Sequence, residues 1–192
     1  MGSLNSEFRN ADQTDACRFW ESGSPTHIWD RAALDLLANA DTELSENAHL
    51  LATLNLAIAD AIIACWDAKY HYEFWRPVTA IRLTDDPFWT PLLPTPAHPE
   101  YTSGHSSASS AAATVLADYF GDDTPFMLQS PAAPGWVRIY PSFSAAMDEV
   151  ADARVFAGIH FRTACEDGKN LGSDVAGYIL ENRMRRIHGE GE

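Results

Sequence analysis

Tyr101-Thr102-Ser103-Gly104-His105, running into Ser106-Ser107-Ala108, is a small Ser-Gly turn that feeds a helix. The first backbone N–H groups of a helix have no carbonyl one turn back, and the helix dipole favours negative charge beside them. An oxyanion belongs at such a spot, although the pentapeptide alone reads equally well as a capped helix start with an incidental histidine. Two flanking groups supply matching positive charge: Lys69-x6-Arg76-Pro77 upstream and Arg154-x5-His160 downstream. If the helix continues, the seven-residue spacing of Lys69 and Arg76 is two turns and sets both cations on one face, while Arg154 comes from a separate helix. Three cations around the amides of Ser103 and Gly104 make a cage for a tetrahedral oxyanion, with forked guanidinium clamps and a lysine point charge. The same positive charge is poor ground for a bare metal cation, which argues against His105 and His160 as zinc ligands.

The two histidines need separate tasks. One imidazole beside a bound phosphorus or vanadium centre can attack or ligate it, and a second across the site can shuttle a proton, because histidine titrates near neutral pH. His105, directly after the turn, suits acid–base work; His160 suits the axial ligand or nucleophile.

The three segments in this order resemble the three-part signature of the vanadium-dependent haloperoxidases and of the type 2 phosphatidic acid phosphatase superfamily that shares their site. The resemblance runs from about Trp66 to His160. It implies that vanadate or phosphate is held by Lys69, Arg76, Ser103, Gly104 and Arg154. It also implies that His160 is the vanadium ligand in a peroxidase or the phosphorylated nucleophile in a phosphatase, and that His105 is the acid–base catalyst. Trp66 and the aromatic run Lys69-Tyr70-His71-Tyr72-Glu73-Phe74-Trp75-Arg76 are similar to the haloperoxidase version. His98, seven residues before His105, stands where chloroperoxidases carry Phe and algal bromoperoxidases His, which implies bromide or iodide as the halide. Its other reading is a loop histidine hydrogen-bonded to backbone, and Trp66 and Trp75 read also as core residues. Three positions depart from the family pattern: Thr102 replaces Pro, Ala153 replaces Ser, and Ala164 replaces the Asp expected four residues after His160. The last leaves His160 without an identified orienting partner.

The function expected is vanadate-dependent oxidation of bromide or iodide by hydrogen peroxide. The alternatives are an acid-phosphatase-type phosphomonoesterase with a phosphohistidine intermediate, and an inactive oxyanion-binding homologue. Vanadate, or phosphate in the same site, is the expected cofactor. The expected partners are small molecules: peroxide and halide, or a phosphate ester.

The elements that must position these groups are helices. Apolar residues at helical spacing predict one from Thr26 to Asn39 and a long one capped by Ser45 and reaching Tyr72. Its apolar character suits a buried central helix better than a membrane span. Prolines 87, 91, 94, 96 and 99 make the stretch between Pro77 and Tyr101 an irregular ordered loop. A helix from Ser106 to Phe120 ends at Gly121, and a second loop fills 121–141. Ser142 or Ser144 caps a helix that stops near Gly158, and a capping box from Thr163 to Glu166 opens a last helix through Met184. Asp148 or Asp152 is a candidate partner for a site arginine. The fold class expected is all-α, a helical bundle of the haloperoxidase and acid-phosphatase type with long ordered loops, in a single domain spanning 1–192.

The length of 192 residues is enough for a real core, and the formal charge of −14 argues against nucleic acid or anionic lipid as partners, so any anion site must be local. Cys17, Cys65 and Cys165 form no metal or disulfide pattern. Residues 1–10 are polar with no apolar signal core and read as disordered or vector-derived; the chain reads as soluble, with its compartment undetermined. Haloperoxidases of full length are longer, so the resemblance implies an N-terminal half of the bundle that is missing here or supplied by a partner subunit, a homo-oligomer being one such arrangement.

Overall fold

The computed structural model describes residues 1–183. The helices are α1 (Ala11–Glu21), α2 (Pro25–Leu37), α3 (Leu44–Tyr72), α4 (Pro77–Thr84), α5 (Gly104–Phe120), α6 (Phe143–Phe156) and α7 (Arg162–Asn182). Between α5 and α6, β1 (Phe126–Gln129) and β2 (Val137–Tyr140) pair antiparallel, with Phe126 opposite Tyr140. The architecture is a helical bundle, as the sequence suggests.

Its axis is α5. From Ser106 to Ala113 every residue is buried, and all are Ser or Ala. Small side chains let neighbouring helices approach the backbone of α5 closely, and α3, α6 and α7 pack around it. The tightest crossing is with α7, where a Cβ on Gly172 would lie 2.2 Å from the Ser107 carbonyl oxygen and one on Gly168 would lie 2.8 Å from that of Ser103. Gly168 thereby sets how near α7 comes to the start of α5. The α3 face carrying Leu50, Leu54, Ala57, Ile58, Ala61 and Cys65 is buried. Among the described residues one stretch, Leu44–Thr84, which holds α3 and α4, is long and apolar enough by composition to cross a membrane, and part of it is buried inside the bundle.

Several elements differ from the sequence reading. Helix α1, whose mean hydropathy is low, escaped the periodicity test, yet it is capped by Asn10 with a reciprocal Gln13 bond and buries Phe19 and Trp20. The long helix ends at Tyr72, as read, because Glu73 adopts a left-handed conformation (φ 47°); the conditional continuation to Arg76 does not occur, and Arg76 instead caps α4. Lys69 and Arg76 therefore face each other across a break rather than along one helix. Pro77 opens α4 in a region read as loop, since proline is tolerated in a first turn. The N-cap of α3 is Glu43, paired with Glu46, rather than Ser45. At α7 the expected capping box is absent: Phe161 is the N-cap, and Glu166 pairs with Arg162 and Lys169. Met184 lies outside the described residues.

The 121–141 segment, read as loop, contains the hairpin. Arg138 on β2 fastens it to two helices, reaching Glu149 of α6 at 2.7 Å and Asp15 and Asp12 of α1 at 2.9 and 3.1 Å. Residues 1–10, for which disorder was expected, run along the Pro-rich loop. There the Leu4 N–H donates to the Thr90 carbonyl and the Leu92 N–H to that of Gly2.

Candidate active site

The N-terminus of α5 meets α3, α6, the loop before α5 and the end of α1 at a cavity of about 350 Å³. Its wall includes Lys69, His98, Gly104, His105, Arg154 and His160, with Trp66 and Glu21. Residues predicted from three separate segments thus come together. Arg76 and Ser103 are not in that wall: Arg76 is hydrogen-bonded to His160 and His98, and Ser103 supports α5.

Ser103 is buried and is the N-cap of α5: its Oγ accepts from the Ser106 N–H at 3.3 Å, and its own N–H donates to the Ala164 carbonyl at 2.9 Å. Its amide is therefore already spent on protein. Gly104 follows as the first helical residue, and a Cβ there would meet only Cys65 Sγ, at 3.9 Å. The space beside Gly104 is the cavity itself.

Lys69 is buried, and its ammonium donates to the carbonyls of Pro99 (3.0 Å), Glu100 (2.9 Å) and Thr102. Burial pushes its pKa down to about 8. Arg76 donates through Nε to the His98 carbonyl and through Nη1 to that of Ile159; burial lowers its pKa to about 10. Arg154 is 1% exposed. Its Nη1 lies 2.9 Å from Glu21 Oε2, an ion contact outside hydrogen-bond alignment, so Nε and Nη1 have no hydrogen-bond acceptor among the described residues. The candidate partners Asp148 and Asp152 are engaged elsewhere, with Lys169 and Arg162.

Hydrogen-bond logic settles the tautomers. Arg76 Nη1 lies 3.0 Å from His160 Nε2, and a guanidinium can only donate, so Nε2 carries the lone pair and Nδ1 the proton. That Nδ1–H points at Glu100 Oε1, 2.8 Å away. His105 Nε2 lies 3.1 Å from the Trp20 carbonyl, which can only accept, so its proton sits on Nε2 and Nδ1 is free to take one up. Burial, with Arg154 beside His105 and Arg76 beside His160, holds both imidazoles well below the ordinary histidine pKa, so both are neutral at pH 7.

His98 lies between the loop backbone and the cavity. Nδ1 is within 3.1 Å of Arg76 Nη2 and 3.2 Å of the Pro99 carbonyl, while the ring lines the cavity 4.8 Å from the Trp66 indole. Three residues at the site escaped sequence reasoning. Glu100 and Glu21 bear its two carboxylates, and Trp20 acts through a backbone oxygen, for which no sequence signal exists. Glu100, one residue before Tyr101-Thr102-Ser103, had position as its only clue. Thr102, where the family has Pro, is buried, with its carbonyl on Lys69.

A helical bundle whose central helix begins among three cations and two neutral histidines points to the vanadium haloperoxidase class. Comparison with known proteins agrees: residues 49–189 match the VCPO second helical-bundle domain, and the chain belongs to that family. It is 27% identical to the vanadium chloroperoxidase of Curvularia inaequalis over an alignment of 227 residues, covering 83% of this chain and 37% of that protein. A bacterial vanadium-dependent iodoperoxidase of solved structure is 34% identical, with a TM-score of 0.84 over 89% of this chain and 44% of its own. The holo form of a bacterial vanadium-dependent chloroperoxidase, 21% identical with a TM-score of 0.78, shares the fold over 93% of this chain and 44% of its own. The chain spans less than half the length of these relatives.

Proposed function

We propose that this cavity holds vanadate and serves the oxidation of bromide or iodide by hydrogen peroxide. The observation that carries the proposal is Arg154, a buried guanidinium at the cavity wall whose Nε has no acceptor and whose Nη1 has only the misaligned Glu21 carboxylate at 2.9 Å. An unpartnered buried donor is costly, and a multi-oxygen anion relieves that cost at once. Charge agrees: Lys69, Arg76 and Arg154 face two carboxylates, Glu21 and Glu100, with both histidines neutral, so one positive charge is left over. The donor set fits an oxyanion rather than a bare cation, and among the described residues no three His, Cys, Asp or Glu side chains cluster as a metal cage.

Vanadate, when bound, supplies the Lewis acidity that activates hydrogen peroxide. The chain supplies the rest. His160 offers the Nε2 lone pair, and it must first give up the hydrogen bond from Arg76. Arg154 and the open backbone N–H groups at the start of α5 hold oxygens in place without large reorganisation. His105 accepts a proton at Nδ1 while its Nε2–H stays on the Trp20 carbonyl. His98 and Trp66 line the approach, and the 34% identity to an iodoperoxidase, against 27% and 21% to the two chloroperoxidases, supports bromide or iodide as the halide.

The test is halogenation of a dye by peroxide with bromide or iodide, with and without orthovanadate, run beside hydrolysis of an aryl phosphate. Halogenation that requires vanadate is the expected result. Ester hydrolysis alone would make His160 a phosphorylated nucleophile instead, and neither activity in the folded chain would overturn the proposal. His160→Ala should drop halogenation to background and weaken vanadate binding by about 10–100-fold, with the cations retaining a residue of affinity. Turnover unchanged in that variant refutes the assignment.

A further inference from the structure

The residue His160 leans on is Glu100, and we infer that Glu100 is the positioning carboxylate of this site, fixing the tautomer and direction of the His160 ring. This rests on the reading of His160 as the anion's anchor.

Both partners are buried, Glu100 at 1% and His160 at 5% exposure, and their contact is 2.8 Å. Glu100 Oε1 accepts a second hydrogen bond, from the Phe161 N–H at 2.9 Å, so the oxygen facing His160 is itself held by the backbone that follows the histidine. The main chain of Glu100 is fastened as firmly: its N–H donates to the Phe74 carbonyl at 2.9 Å, and its own carbonyl takes the Lys69 ammonium at 2.9 Å. One residue thus ties α3, the Phe74–Arg76 segment and the His160 turn into a single rigid piece. Position 164, on the first turn of α7, offers His160 nothing in its place. It is a buried Ala whose carbonyl accepts the Ser103 N–H.

The consequence is directional. Arg76 donates to Nε2, so Nδ1 carries the ring hydrogen and Glu100 Oε1 must accept it. With Nδ1–H held, the Nε2 lone pair lies in the ring plane on the far side and is the atom available to a vanadium or phosphorus centre. Glu100 touches neither anion nor substrate in this arrangement; it acts through His160.

The experiment compares the 192-residue chain with Glu100→Gln, which keeps volume and an acceptor oxygen, and Glu100→Ala, which removes the acceptor. Two readouts are taken: the His160 Nδ1–H proton resonance without added anion, and orthovanadate affinity by calorimetry. The wild type should show a downfield, slowly exchanging Nδ1–H. In Glu100→Gln it should move upfield and exchange faster, and in Glu100→Ala it should be lost to solvent. Vanadate Kd should rise about 10-fold in Gln and up to about 100-fold in Ala. A folded wild-type chain lacking that resonance, or one whose position and exchange are the same in Glu100→Gln, overturns the inference. A chain that shows the resonance but binds no vanadate overturns the proposed function and leaves the positioning role of Glu100 standing.

Discussion

Two arginines that both reach from the α6 side towards α1, half-buried Arg138 and buried Arg154, are treated in opposite ways. Arg138, on the hairpin, meets three carboxylates: Glu149, Asp15 and Asp12. Glu149 also accepts from the Tyr140 hydroxyl and the Trp20 indole. Burial alone would weaken the hold of Arg138 on its proton, but the hydrogen bond and charge of Glu149 reverse this and push its pKa upward. Arg154 has one misaligned carboxylate contact and two nitrogens with no acceptor, and its neighbours Lys69 and Arg76 are pushed down by burial to about 8 and about 10. A cation that fastens elements together is saturated by the protein. A buried cation left short of partners, as Arg154 is, has donors to offer a ligand, whereas Lys69, its ammonium on three carbonyls, would have to give one up.

The sharpest way to break this contrast is Arg154→Met. Hydrogen bonds to a charged group are worth about 1.5–3 kcal/mol, so losing these donors should weaken orthovanadate binding by about 10–100-fold. Stability should hold or rise, because an under-paired buried charge is removed and Glu21, 38% exposed in its side chain, returns to water. Calorimetric titration and urea unfolding of the same sample check both halves; a large stability loss would mean that Arg154 is structural after all.

Arg138→Met should give the mirror image. It strands Glu149, and the expected cost is about 1–3 kcal/mol, less than for a fully buried pair because Asp12 and Asp15 are 75% and 46% exposed. Vanadate affinity should survive in the folded variant. Affinity that collapses with stability intact would show that the hairpin acts on the site through α1.

The smallest effect is a slope. The folded pKa of Lys69, about 8, lies below its ordinary 10.5, so between those values the unfolded chain holds more protons than the native one. Its contribution therefore makes stability rise with pH across that window. Cys17 and Cys165, whose thiols burial pushes to about 11, add the opposite slope above pH 9. Subtracting the Lys69→Met stability curve from that of the wild type isolates the lysine. A flat difference from pH 8 to 10.5 would place Lys69 in an ordinary solvated state.

The helices around the site were legible where periodicity and capping agreed. The α5 stop at Gly121 is seen as read, and the start lies two residues earlier, at Gly104. Helix α1 and the hairpin were not legible. The polar face of α1 hides its two buried aromatics, and β1 and β2 are four residues each, too short for alternation to register. The Gly168 and Gly172 spacing on α7 was a missed sign of a close crossing, one that bears directly on Ser103. In the site, the long cations and histidines announced themselves by type and interval. Their carboxylate partners did not, since an isolated Glu in a loop looks like any solvated acid.

What the chain's order of residues determined by itself is the set of candidate groups for the site: Lys69, Arg76, the Ser103-Gly104-His105 helix start, Arg154 and His160. Each such group is specified by side-chain type and by order along the chain, and both are local. What only the tertiary structure decided is which partner each one keeps. Glu100 reaches His160 across 60 positions in the chain, and the Trp20 carbonyl reaches His105 across 85. Those pairs exist because the all-small face of α5 lets α3, α6 and α7 close on its N-terminus and brings the end of α1 to the same point. No local period encodes that convergence.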